Sequence, residues 1–213
     1  RLFTRSASFA FSNLAALINY SATFAVGFLL SLYLQVAAGF DSQTAGLILL
    51  SQPVIMALLS PFAGTLSDRV EPRVVASWGM GLTTAGLFIF SFLTIQTPLW
   101  LIIVNLVLLG TGFALFSSPN SNAIMGSVEK RFYGVASSTL GTMRITGQAI
   151  SMAIATLIVT LYLGGAELSP AQAELLTKSV KASFCIFALT CFGGIFASLA
   201  RGKVTTGGVS RQP

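Results

Sequence analysis

Five stretches of this chain contain no Asp, Glu, Lys or Arg: Ser6 to Phe40, Ser42 to Ser67, Val74 to Val128, Ile145 to Ala166 and Ala182 to Ala200. A helix needs about 20 predominantly apolar residues to cross a hydrocarbon core of about 30 Å. Each run suffices for one crossing, and Val74 to Val128 is long enough for two. Gln96-Thr97-Pro98 divides that longest run, with Pro98 suited to the first position of a new helix and Thr97 to its N-cap. The pattern predicts an all-α membrane protein of six transmembrane helices, with spans 1 to 6 at about 9–37, 44–66, 73–95, 98–126, 134–163 and 180–200. A β-barrel would alternate polar and apolar residues within each segment, whereas these blocks are continuously apolar. Only 8% of the residues are charged, against about a quarter in water-soluble domains. The first run is too long for the core of a signal peptide. Residue 1 is Arg, not Met, so the chain is expected to be a piece of a longer one.

Cys185 and Cys191 lie in the last apolar run, six residues apart and on different helix faces. They read as inert thiols, with neither a disulfide nor a metal site implied. The chain has no histidine, which argues against haem ligation, di-iron chemistry and most zinc sites. No cofactor is expected.

The net charge of +6 is explained by its distribution, not by a nucleic-acid partner. Loops on the cytoplasmic side of a membrane collect Lys and Arg. Arg1 and Arg5 precede span 1, Arg69 and Arg73 separate spans 2 and 3, Lys130 and Arg131 separate spans 4 and 5, and Arg201, Lys203 and Arg211 follow span 6. All nine fall on one side, and only Lys178 and Lys181 fall on the other. Both ends are therefore expected in the cytoplasm, with residues 1–8 as a lead-in and 201–213 as a disordered tail of an integral protein of the cell membrane. The basic side would also attract anionic lipid. On the outer side, Ser169-Pro170-Ala171-Gln172 reads as a capped helix start, so that the last helix projects beyond the bilayer.

The helices differ in how they carry polar groups. Span 1 aligns Asn13, Ala16, Tyr20, Thr23, Gly27, Ser31 and Gln35 within an arc of roughly 120° at helical spacing. Asn19 belongs to the same span. Span 5 aligns Ser137, Gly141, Arg144, Gln148, Ser151 and Ala155, span 2 has Gln52 beside a kink expected at Pro53, and span 4 carries Asn105, Gly112 and Pro119. Spans 3 and 6 offer only Ser, Thr and Gly. Small residues and amides also serve plain helix packing, but the division suggests four helices around an aqueous cavity and two facing lipid. The cavity candidates are Asn13, Asn19, Tyr20, Gln52, Asn105, Arg144 and Gln148. Arg144 is the sharpest of them: near mid-depth a charge costs at least ~2.5–3.5 kcal/mol and must face protein or water. It can snorkel, meet an anionic substrate group, or pair with a carboxylate elsewhere in the protein.

Between spans 2 and 3 lies Gly64-Thr65-Leu66-Ser67-Asp68-Arg69-Val70-Glu71-Pro72-Arg73. It resembles the G-x-x-x-D-[RK]-x-G-[RK]-[RK] signature of the major facilitator superfamily through Gly64, Asp68, Arg69 and Arg73, although the later glycine is absent. Leu109-Gly110-Thr111-Gly112 through Ser118-Pro119-Asn120, then Gly134-Val135-Ala136-Ser137, Tyr33-Leu34-Gln35 and Gly141-Thr142-Met143-Arg144 extend the likeness. Together they resemble the C-terminal six-helix half of the fourteen-helix drug:proton antiporter branch, over about residues 5–200.

The resemblance implies a 3+3 inverted repeat and a secondary transporter, not an enzyme, working by alternating access. It also implies proton-coupled efflux of amphipathic small molecules driven by the proton gradient. The motif residues would form a cytoplasmic gate, and the partners would be the lipid bilayer, a small-molecule substrate and a missing N-terminal part of six or eight helices. No carboxylate lies within a predicted span, so a proton-carrying acid would come from that missing part. The alternatives are a self-sufficient six-helix carrier acting as a homodimer, and an importer of a small metabolite. No Gly-x-Ser-x-Gly, no His-Glu-x-x-His and no pair of intramembrane aspartates supports a membrane enzyme. A channel would want a filter-like segment or a ring of charge, and neither is evident.

Overall fold

The computed structural model of the chain describes residues 7–164 and 170–199. Among these, six helical stretches are long and apolar enough to cross a membrane: Ser8–Ala37, Ser42–Arg69, Pro72–Phe90, Leu99–Gly126, Lys130–Leu163 and Ala173–Leu199. No strand occurs among the described residues. Ser169, expected to cap the last helix, and the tail expected to be disordered lie outside the described residues.

The boundaries differ from the apolar runs where local chemistry intervenes. Span 3 stops at Phe90, because the chain then turns. The Thr94 amide donates to Thr97 Oγ1 (2.8 Å), and the Tyr33 hydroxyl donates to the Thr94 carbonyl (2.6 Å). Thr97 thus closes this turn instead of capping span 4, and extended Pro98 takes the cap position with the helix starting at Leu99. Span 6 begins near Ala173, well before its apolar run, after a 3-10 turn at Pro170–Gln172. The Glu174–Lys178 ion pair at 2.8 Å, one turn apart, supports this polar start. The break in span 2 falls at Leu50, three residues before Pro53. A proline has no N–H to offer the carbonyl four residues back, and its ring crowds the preceding turn.

Span 1 is the buried centre and is itself interrupted. Its helix pauses at Phe24 and Ala25, resumes over Val26–Leu32, and widens to a π turn at Tyr33–Ala37. At the pause the Ala25 amide donates to Ser151 Oγ of span 5 at 3.0 Å. A side chain from a neighbour has entered the backbone ladder, a recognised cause of helix bending.

Packing follows a two-fold logic. Span 1 packs on spans 5 and 6, span 4 packs on spans 2 and 3, and spans 3 and 6 pack on each other. Exchanging 1 with 4, 2 with 5 and 3 with 6 maps these pairs onto one another, as a 3+3 inverted repeat requires. A close crossing joins spans 3 and 4 at Gly79 and Gly112. A Cβ on Gly79 would lie 2.6 Å from both the Gly112 carbonyl and the Phe116 amide. Small residues permit such approaches, which provide the packing that holds helices together in lipid. The outward faces of spans 3 and 6 carry Trp78, Phe88, Leu189, Phe192 and Phe196, all exposed, as expected of helices that meet lipid.

Candidate functional site

Four spans leave a pocket of about 480 Å³ between them. Tyr20, Thr23, Phe24 and Gly27 line it from span 1, Leu49, Gln52, Pro53 and Met56 from span 2, Phe113 from span 4, and Arg144 and Gln148 from span 5. Spans 3 and 6 contribute nothing to it. Arg144 lies about 16 Å along its helix from Tyr133 at 1.5 Å per residue, within a helix running to Leu163.

Backbone contacts set the pocket walls. A Cβ on Gly147 would lie 2.7 Å from the Leu17 carbonyl and 2.9 Å from Tyr20 Cβ, so span 5 sits directly on span 1 beside Arg144 and Gln148. A Cβ on Gly110 would lie 2.5 Å from the Gln52 carbonyl, which fixes span 2 against span 4 at the level of Gln52. The helix breaks at Leu50 and at Phe24–Ala25 both border the same space.

The polar groups fall into two sets. Arg144 places its guanidinium carbon 5.3 Å from the centre of the Tyr20 ring, a cation–π contact. Tyr20 in turn meets Phe113 edge to face, with centroids 5.5 Å apart. Among the described residues Arg144 has no ion pair, and Gln52 and Gln148 make no side-chain hydrogen bond. Thr23 is satisfied internally, its hydroxyl donating to the Asn19 carbonyl.

Asn13, Asn19 and Asn105 are placed elsewhere. All three are buried in helix packing, away from the pocket lining. Asn13 Nδ2 donates to the Phe9 carbonyl and Asn105 Nδ2 to the Gly86 carbonyl of span 3. Asn19 has both amide atoms buried without a partner among the described residues. Phe24, Phe113, Met56 and Leu49 line the pocket without having been singled out in the sequence. For Leu49 and Met56 the available signal was helical register, one turn to either side of Gln52.

The loop between spans 2 and 3 forms a second feature. Gly64 faces span 4, where a Cβ would come within 3.2 Å of Ser118 Oγ. Asn122 Nδ2 of span 4 donates to Ser67 Oγ at 2.8 Å. Arg73 pairs with Glu71 at 2.8 Å, bracing the turn within itself. Asp68 and Arg69 are exposed and lack an ion pair among the described residues. Asp68 sits in the last turn of its helix, where a negative charge opposes the helix dipole.

A family model described as Major Facilitator Superfamily matches residues 13–211. The chain belongs to the major facilitator superfamily. Superfamily members are transporters and not enzymes, and the six apolar helices make this chain an integral membrane protein. It is 28% identical over 195 residues to the riboflavin transporter RibZ of Clostridioides difficile, covering 92% of this chain and 43% of that protein. Over 133 residues it is 34% identical to the uncharacterized transporter YebQ of Escherichia coli, covering 62% of this chain and 29% of that protein. The multidrug resistance protein Stp of Mycobacterium tuberculosis is 27% identical over 166 residues, covering 78% of this chain and 30% of Stp. The chain thus spans less than half the length of the curated relatives it matches. Repeat-built transporters bind their substrates near the bilayer midplane beside discontinuous helices, and this pocket borders the helix breaks at Leu50 and Phe24–Ala25.

Proposed function

We propose that this chain is the C-terminal six-helix half of a proton-coupled transporter that exports amphipathic small molecules by alternating access. The observation that carries the reading is the pocket itself. It is a concave, mainly apolar space at mid-helix level, lined by four spans and holding a few polar side chains not committed to the fold. Small-molecule sites have this make-up, with apolar walls for affinity and a few convergent polar groups for orientation. Stp is by its name a multidrug resistance protein, which favours export. No Asp or Glu lines the pocket, so the acid that carries the proton would belong to the remainder of the transporter, together with the facing half of the site. Both termini of the chain would be cytoplasmic and the protein would reside in the cell membrane, on the strength of the nine basic residues of one side. Asp68, Arg69 and Arg73 would act at that side as a gate.

A second reading is the carriage of a small metabolite, favoured by the match to the riboflavin transporter over 92% of this chain. The test of the first reading is flux in proteoliposomes holding the full-length gene product. Substrate movement should follow an imposed pH gradient and collapse when a protonophore is added. Flux indifferent to the gradient would refute proton coupling.

A further inference from the structure

We infer that the pocket selects an anionic ring compound, with its acidic group on Arg144 and its ring between Tyr20, Phe24 and Phe113. This rests on the reading of the pocket as a substrate site and adds the sign of the substrate's charge.

Three observations carry it. First, Arg144 is the one charged side chain among the residues lining the pocket, and no Asp or Glu accompanies it. A cationic substrate would be repelled here, and in a low-dielectric setting such repulsion is stronger than in water. Second, the geometry of the guanidinium suits an anion. Its carbon lies 5.3 Å from the centre of the Tyr20 ring. A cation–π contact uses up none of the N–H donors along the guanidinium edge, and those match a carboxylate or sulfonate two at a time. An arginine spent on packing or on an internal carboxylate would have no such edge free, yet Arg144 has no ion pair among the described residues. Third, the remaining walls fit a planar ring. Phe24 is 47% exposed at the helix pause, although most neighbouring residues of span 1 are buried. Phe113 and Tyr20 stand in a T-shaped pair, their planes 71° apart. Gln52 and Gln148 add neutral amides that can donate to or accept from ring substituents.

The amides tolerate either sign of charge, so among the lining residues of this chain discrimination falls to Arg144. Arg144→Gln should therefore weaken anions without weakening cations. Arg144→Lys should keep the charge but lose the planar two-donor edge, and so fall between the two.

The test uses two dyes that share the three-ring xanthene frame, anionic carboxyfluorescein and cationic rhodamine 123. Binding to the purified full-length protein is read by fluorescence polarisation. Wild-type protein should prefer carboxyfluorescein by at least tenfold. Arg144→Gln should lose that preference through weaker anion binding, with rhodamine binding held or improved, and Arg144→Lys should recover part of it. Equal affinity for the two dyes in the wild type, as expected if Arg144 is already paired within the intact protein, overturns the inference and leaves the transport reading standing. Equal weakening of both dyes in Arg144→Gln marks a structural role and also overturns it. Binding of neither dye by the wild type overturns the substrate-site reading of this pocket and the inference with it.

Discussion

Two alanines placed two residues apart in span 3 should have opposite effects. A Cβ at Gly79 would meet the Gly112 carbonyl at 2.6 Å, the Phe116 amide nitrogen at 2.6 Å and the Leu115 carbonyl carbon at 2.8 Å. These are backbone atoms of span 4, and none of them can swing aside as a flexible side chain would. Relief to ordinary contact requires the helices to part by about 0.8 Å, and a gap of 0.5–1 Å forfeits about a quarter to a half of each dispersion contact across it. Overpacking of this kind typically costs about 1–3 kcal/mol. At Gly81, by contrast, an added Cβ has no neighbour within 4 Å. Both residues are interior to the Pro72–Phe90 helix, so the helix-propensity gain of alanine over glycine, about 0.8–1 kcal/mol, is common to both. The difference between Gly79→Ala and Gly81→Ala therefore isolates the crossing and should be about 1–3 kcal/mol. For a folding unit of about 200 residues that is a gap of roughly 2–12 °C in midpoint, at about 2–4 °C per kcal/mol. Thermal unfolding of the purified full-length protein, followed by scattering-corrected fluorescence, reads it directly. Gly81→Ala should melt at or above the wild type and Gly79→Ala below it. Coincident melting of the two variants would refute the close crossing.

Two further expectations rest on single contacts and a third on the distribution of basic residues. Ser151→Ala removes the acceptor for the buried Ala25 amide; polar contacts in membranes average ~0.6 kcal/mol and an orphaned buried donor costs ~1–3 kcal/mol, so the melting point should fall, whereas Ser151→Thr, which keeps a hydroxyl, should stay nearer the wild type. Asp41 caps span 2, accepting from the Gln43 and Thr44 amides and the Thr44 hydroxyl, and these hydrogen bonds hold its carboxyl below the ordinary aspartate range. Because the folded value is depressed, the cap's contribution is fully present above pH ~4 and is lost as pH falls through the lower folded value; amide exchange at Gln43 and Thr44 should speed up there, and Asp41→Asn should remove that acid dependence. In a background with Cys185 and Cys191 changed to Ser, cysteines at Ser42 and Gln96 should react with an impermeant thiol reagent outside intact cells and one at Glu129 should not; reversed labelling would overturn the proposed orientation.

The six spans were legible because a bilayer imposes length and charge exclusion on every crossing helix, and those rules act on sequence directly. The ends were less legible, since turns are closed by particular hydrogen bonds. Thr97 looked like a helix cap and is used to close the turn at Thr94. The pocket was partly legible. Tyr20, Gln52, Arg144 and Gln148 line it, and their helical spacing with other polar residues marked them. Asn13, Asn19 and Asn105 carried the same mark but are buried between helices, because a polar stripe looks alike whether it faces water or another helix. What separates the two cases is the partner span, such as the Gly86 carbonyl that receives Asn105, and pairing between distant segments has no local signature. The aromatic walls were missed for the converse reason. Phe24 and Phe113 are apolar residues in apolar helices, and only the pause at Phe24–Ala25 turns the first of them into the pocket.

That pause changes how span 1 carries force. An unbroken helix bends only by straining consecutive rungs, so displacement at one end is shared along its length. Here the rung at Ala25 is anchored to span 5 through Ser151, and the segments on either side are joined at a pivot. The far segment is tethered in turn, where the Tyr33 hydroxyl grips the Thr94 carbonyl. Bending concentrated at the pause would leave the intrahelical bonds on both sides intact, with both segments still held by these two contacts. Span 1 is therefore built as two struts rather than one, and the joint between them lies at the wall of the pocket.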